Sequence, residues 1–141
     1  MGTGWSIAVA AVFVWLGMVV GISFLEAPLK FRAPGVTPAL GLGIGRLVFR
    51  ALNVCEAILG VVVLAGLRLS GPALVPLLVA VATLTVQVFA VRPALSRRSD
   101  AVLAGKDGPR SQAHHAYVGL EAVKVVALIT AGVVLLTQGS I

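Results

Sequence analysis

Four long apolar stretches, each close to the length of a bilayer crossing, constrain this chain more than any other feature. They run from about Trp5 to Leu25, Leu47 to Leu67, Ala73 to Val91 and Ala116 to Leu136. A transmembrane helix needs roughly 20 mostly apolar residues, whereas strands of a membrane barrel alternate apolar and polar positions over ~10-residue segments. The runs here are continuous, which predicts helices. Composition points the same way: 59% of the 141 residues are hydrophobic and 11% charged, against about 25% charged in a soluble domain. Disorder is excluded by that balance, and a soluble enzyme nearly so. The expectation is an all-α membrane protein, one four-transmembrane-helix bundle formed by residues 1–141.

Basic residues set the expected orientation. Lys30, Arg32, Arg46 and Arg50 flank the first connection, and Arg92, Arg97, Arg98, Lys106 and Arg110 the third. The second connection has Arg68 alone, in a tight turn marked by Ser70-Gly71-Pro72. The positive-inside rule then puts loops 26–46 and 92–112 in the cytoplasm and both termini outside. A multi-pass protein of the bacterial inner membrane is expected. No basic residue precedes the first apolar run and no convincing cleavage site follows it, so a signal peptide is not expected. Gly2 with Ser6 fits a myristoylation pattern, but the same topology places that end outside. The charge asymmetry also accounts for the net charge of +6 without nucleic acid, for which no motif is present. The expected partners are anionic lipid head groups and either a second copy or another membrane protein.

A charge inside a span costs about 2.5–3.5 kcal/mol on insertion scales and persists where it pairs or lines a wet cavity. The second apolar run opens with Arg46, Arg50, Asn53 and Glu56. At about 100° per residue, the first three share an arc of about 60°, with Glu56 about 60° further round. The fourth run opens with His114, Tyr117, Glu121 and Lys124, all within an arc of about 80°. With Glu26 ending the first run and Gln87 near the end of the third, every strongly polar intramembrane side chain falls in the cytoplasmic half. The outer half is aliphatic, with Thr130 as its thin exception. Depth along the helices predicts the pairs Glu56–Lys124, Glu121–Arg50 and Glu26–Arg46. These ten residues make either a set of ion pairs that registers the helices or a pocket that binds an anion, a head group or a partner. A small oligomeric transporter or channel subunit is a third reading. A lipid- or quinone-acting enzyme, with Glu56 or Glu121 as acid/base and His114 as shuttle, is a fourth.

No metal and no cofactor is expected. His114 and His115 point about 100° apart, whereas a helical metal pair wants a spacing of three or four. Cys55 stands alone and reads as a small buried packing residue. Gly41, Gly43 and Gly45 lack the preceding strand and the lysine of a phosphate loop. Gly17 and Gly21 form a GxxxG, expected to pack within the bundle rather than between copies. Trp5 reads as an outer interfacial anchor, and Trp15 lies at mid-bilayer depth.

The segments Gly21-Ile22-Ser23-Phe24-Leu25-Glu26-Ala27-Pro28-Leu29-Lys30-Phe31 and Gly45-Arg46-Leu47-Val48-Phe49, with the His-x-Tyr…Glu…Lys run opening the fourth helix, resemble small uncharacterised bacterial four-helix integral membrane proteins. More distantly the layout resembles the transmembrane protein 205 family, in its proline-phenylalanine segment after the first span and its histidine before the last. The resemblance implies four spans and carries no established reaction.

Overall fold

A computed structural model describes residues 2–103 and 112–139, and these are helical almost throughout, with no strand among them. Helix α1 spans Thr3–Arg32 and α2 spans Pro38–Gly66. Helix α3 runs through Leu74–Val86, a π-helical stretch Gln87–Val91 and Arg92–Leu103, and α4 spans Gln112–Gly139. Each helix contains a segment long and apolar enough to cross a membrane. The first connection shrinks to residues 33–37, and the second turns through Gly71 at φ +93° with Arg68 and Leu69 also left-handed.

The expected loop 26–46 is mostly helix, which corrects the sequence reading. Two local features explain it. Thr37 caps α2, its hydroxyl accepting from the Leu40 N–H at 3.1 Å. Pro38 takes the first helical position, where a missing N–H matters little. Pro28 does not stop α1, because the helix widens ahead of it into π geometry over Val20–Glu26. There the Ala27 N–H reaches back five residues to the Ile22 carbonyl. Such widening relieves the clash between a proline ring and the carbonyl four residues earlier. The third connection is likewise shorter than expected on its α3 side, since α3 stays helical to Leu103. Lys106 and Arg110 lie outside the described residues.

Between membrane helices there is no hydrophobic drive of the aqueous kind, so close backbone approach and internal polar bonds decide packing. At one end α1 and α2 cross backbone to backbone: a Cβ on Gly66 would lie 2.6 Å from the Gly4 carbonyl oxygen. Gly132 of α4 accepts the Phe13 ring in the same half of the bundle, and Gly60 of α2 faces Trp15. Trp15 is completely buried, with Val12, Val63, Leu77, Leu128 and Leu135. Leu47, Val61, Val75 and Phe89 point outward and are among the exposed apolar side chains that a bilayer would cover.

Gly17 and Gly21 depart from expectation. Among the described residues, a Cβ on either meets nothing within 4 Å, so their GxxxG face packs on no helix there. Gly41 and Gly45, one turn apart on α2, take that role instead. The Phe31 ring lies over Gly41 and the Lys30 ammonium over Gly45, so the glycines form a shelf for the end of α1. Cys55 is half-buried rather than fully enclosed.

Candidate functional site

Helix spacing builds the site. Tyr117, Glu121 and Lys124, four and three residues apart, stack on one face of α4 and are all buried. Asn53 and Glu56, three apart on α2, are buried opposite them. Gln87 comes from the first residue of the π-helical stretch in α3, and Ser23 from the middle of the one in α1.

Lys124 is the hub. Its ammonium donates to both Glu56 oxygens, at 3.0 and 2.7 Å, and to Gln87 Oε1 at 2.7 Å. It also lies 2.6 Å from Glu121 Oε1, three residues back on its own helix. The Gln87 amide donates to the same Glu121 oxygen at 3.1 Å and to the Tyr117 carbonyl at 3.3 Å. The second Glu121 oxygen, Oε2, accepts from the Ser23 hydroxyl. Lys124 and Glu56 are both 0% exposed and Glu121 1%, so solvent does not screen the contacts of the Lys124 ammonium. A short outer arm continues through Tyr117, whose hydroxyl is 3.5 Å from Asn53 Oδ1. Two buried donors have no partner among the described residues, Trp15 Nε1 and Asn53 Nδ2.

Of the three expected ion pairs, Glu56–Lys124 is present. Glu121 pairs with Lys124 rather than Arg50, because Arg50 is exposed and lies about 120° round α2 from Glu56. Glu26 approaches Lys30, one turn along its own helix, at 3.7 Å. Arg46 instead holds Asp100 of the α3 extension at 2.7 Å, both well exposed. His114 sits on α4, but its side chain lies outside the described residues. No group of three metal-ligating side chains occurs among the described residues.

Beside the centre, all four helices enclose a cavity of about 480 Å³. Ser23 and Glu121 are among its polar lining residues, Phe24, Phe31, Phe49 and Tyr117 supply aromatic walls, and Lys30, Arg46 and Arg92 supply cationic groups. The Lys30 ammonium lies 5.7 Å from the Phe31 ring centroid and 5.8 Å from that of Phe49, within cation–π range. Phe49 in turn meets Tyr117 edge-on at 5.7 Å. A second, more open groove between α2 and α3 gathers Arg46, Arg50 and Arg92 above aliphatic walls that include Val54, Ala57 and Val88, with Asn53 at its edge.

Ser23, Lys30 and Arg92 were absent from the sequence-derived site. A signal for Ser23 exists: Phe24-x-x-x-Pro28 and Phe89-x-x-x-Pro93 place a proline two residues beyond each π-helical stretch. In both, the residue before the proline reaches back five positions, Ala27 to Ile22 and Arg92 to Gln87. The two prolines thus mark the two helix segments that supply Ser23 and Gln87. Comparison with protein-family models, curated proteins and solved structures finds no match to this chain.

Proposed function

We propose that the protein is a non-enzymatic, multi-pass protein of the bacterial inner membrane that binds an anionic amphiphile in the four-helix cavity. The connection 33–37 and the arginine-rich end of α3 face the cytoplasm in this reading, supported by nine basic residues near those connections against Arg68 on the other side. One observation carries the binding reading: the cavity joins cationic groups to aromatic walls. Lys30, Arg46 and Arg92 suit a phosphate, sulfonate or carboxylate head, while Phe24, Phe31 and Phe49 suit its apolar portion. Its volume of about 480 Å³ falls within the usual ~300–1,000 Å³ of small-molecule pockets. The arginine groove between α2 and α3 supports a second contact with anionic head groups of the surrounding leaflet.

Binding is favoured over passage through a single copy. The far half of the bundle is packed with aliphatic side chains, and its Thr130 hydroxyl bonds back to the Val126 carbonyl at 2.8 Å. The test is a titration of purified protein, in an uncharged detergent, with decanesulfonate and with decanol. Saturable binding of the sulfonate is expected, weakened at least tenfold (about 1.4 kcal/mol) by Lys30→Ala or Arg92→Ala. Equal uptake of both probes, unaffected by either substitution, refutes the reading. Native mass spectrometry from mild detergent then separates a retained lipid from a free metabolite as the natural occupant.

A further inference from the structure

One end of the groove between α2 and α3 is cationic and the rest is aliphatic. Arg46, Arg50, Asn53 and Ala57 recur at spacings of four, three and four, which puts them on one face of α2. Along that face the groove runs about 16 Å from Arg46 to Ala57, at ~1.5 Å per residue. Leu84 and Val88 line its α3 side, and Arg92 joins the cationic end. Among the described residues, no carboxylate lines it. Asp100 reaches Arg46 at 2.7 Å, well exposed, while Arg50 and Arg92 enter no ion pair among the described residues. We propose that this groove is a site for one anionic phospholipid of the surrounding leaflet, and that its occupation weakens anion binding in the neighbouring cavity.

The polarity of the groove selects a lipid over a free anion. A guanidinium presents a fork of donors that matches a phosphate, and basic pockets between membrane helices receive lipid head groups. Three guanidiniums with one exposed carboxylate among them leave positive charge that a phosphodiester offsets. Beyond the arginines, Val54, Ala57 and Val88 offer acyl chains an apolar wall and offer a soluble metabolite nothing. Asn53, 7% exposed, lies three residues beyond Arg50, or about 4.5 Å along α2. Its buried amide nitrogen has no partner among the described residues. That is the depth at which the ester groups of a glycerolipid hang just beneath its phosphate.

Arg46 and Arg92 line the four-helix cavity as well as the groove, whereas Arg50 lines the groove alone and Lys30 the cavity alone. A phosphate in the groove takes guanidinium donors and neutralises charge on which an anion in the cavity would otherwise draw. Two anions on either side of the same arginines also repel one another. The two sites therefore oppose each other, and by reciprocity an occupied cavity loosens the lipid by the same factor. A leaflet rich in anionic lipid keeps the cavity nearer empty, and a neutral one lets it fill. This antagonism rests on the binding reading above; the lipid site itself does not.

The lipid site is tested by native mass spectrometry from mild detergent, with phosphatidylglycerol and phosphatidylcholine of identical chains supplied in equal amounts. One retained phosphatidylglycerol per chain is expected, with about fivefold lower retention in Arg50→Gln, the ordinary contribution of one basic residue at a lipid surface. Arg32→Gln, which removes an exposed charge lining neither compartment, should change nothing. Equal retention of the two lipids, or equal losses in both variants, overturns the site. The antagonism is read as decanesulfonate affinity in phosphatidylcholine nanodiscs with and without phosphatidylglycerol. Phosphatidylglycerol should weaken binding by about fivefold, a modest coupling between sites. Arg50→Gln should remove most of that difference, leaving what surface charge alone imposes, and Arg32→Gln should keep it. No difference, or one undiminished in Arg50→Gln, overturns the antagonism. If phosphatidylglycerol is held through Arg50 but the sulfonate never binds, the cavity reading and the antagonism fail and the lipid site stands. If the sulfonate binds through Lys30 and neither lipid is preferred, the lipid site fails and the cavity reading stands.

Discussion

Lys124 and Glu56 form a two-oxygen ion pair across 68 residues of chain, at 3.0 and 2.7 Å, with neither side chain exposed. The pair ties α2 to α4 at the depth where Gln87 of α3 and Ser23 of α1 also converge, so one ammonium organises all four helices. Buried pairs of this kind add little net stability when intact, but removing one partner is costly, about 3–5 kcal/mol.

Lys124→Met leaves two carboxylates with no cation and should be the most damaging change in the centre, by an amount in that range. Glu56→Gln removes the two-oxygen acceptor and turns an amide donor toward the ammonium. Glu121→Gln leaves the neutral Glu56–Lys124 pair intact. Melting temperatures in one detergent at neutral pH should therefore fall in the order Lys124→Met, then Glu56→Gln, then Glu121→Gln nearest to wild type. A Glu121→Gln variant less stable than Glu56→Gln would contradict this account of the charge balance.

Gly66→Ala places a methyl against the Gly4 backbone, which has no rotamer to escape into. A loss of about 1–3 kcal/mol is expected, the usual effect of overpacking. Gly17→Ala meets nothing within 4 Å and gains helix propensity, worth up to about 1 kcal/mol, so it should be neutral or stabilising. Thermal unfolding of the two variants checks the contrast. Destabilisation by Gly17→Ala without a change in Gly66→Ala would point to a partner on the GxxxG face.

Pro93→Ala restores an N–H to pair with the Phe89 carbonyl and lets α3 close into regular α turns. Gln87 then loses the register that brings it to Lys124. Pro93→Ala and Gln87→Ala should consequently be coupled, the double variant losing less stability than the two single losses combined, by about 0.5–3 kcal/mol. Strict additivity in that cycle means the widened turn does not position Gln87.

The four helices and the Glu56–Lys124 pair were legible because each rests on a regular signal: continuous hydropathy for the spans, and depth plus charge for the pair. Arg50 misled because arc and depth do not report which way a long arginine turns, and an exposed guanidinium near a helix mouth reaches for water or head groups. Glu26 and Arg46 were mispaired for a related reason. The loop expected between them is helix, which puts Lys30 one turn from Glu26 and leaves Arg46 free to reach Asp100. Ser23 escaped notice since a serine in an apolar run usually bonds its own backbone. The prolines that redirect it look like loop markers when read without the widened turns ahead of them.

Where Gly4 meets Gly66, main chain rests on main chain, so the two helices are pinned there like the jaws of a clothes-peg at its spring. More than twenty residues of helix away, about 30–40 Å at ~1.5 Å each, the same helices are separated by a ring and an ammonium lying on Gly41 and Gly45. Swinging motion about the pinned point is smallest at the aliphatic end and grows toward the aromatic chamber. Under the binding reading proposed above, a guest would enter past Phe31 and Lys30, at the end of the bundle remote from the Gly4–Gly66 contact.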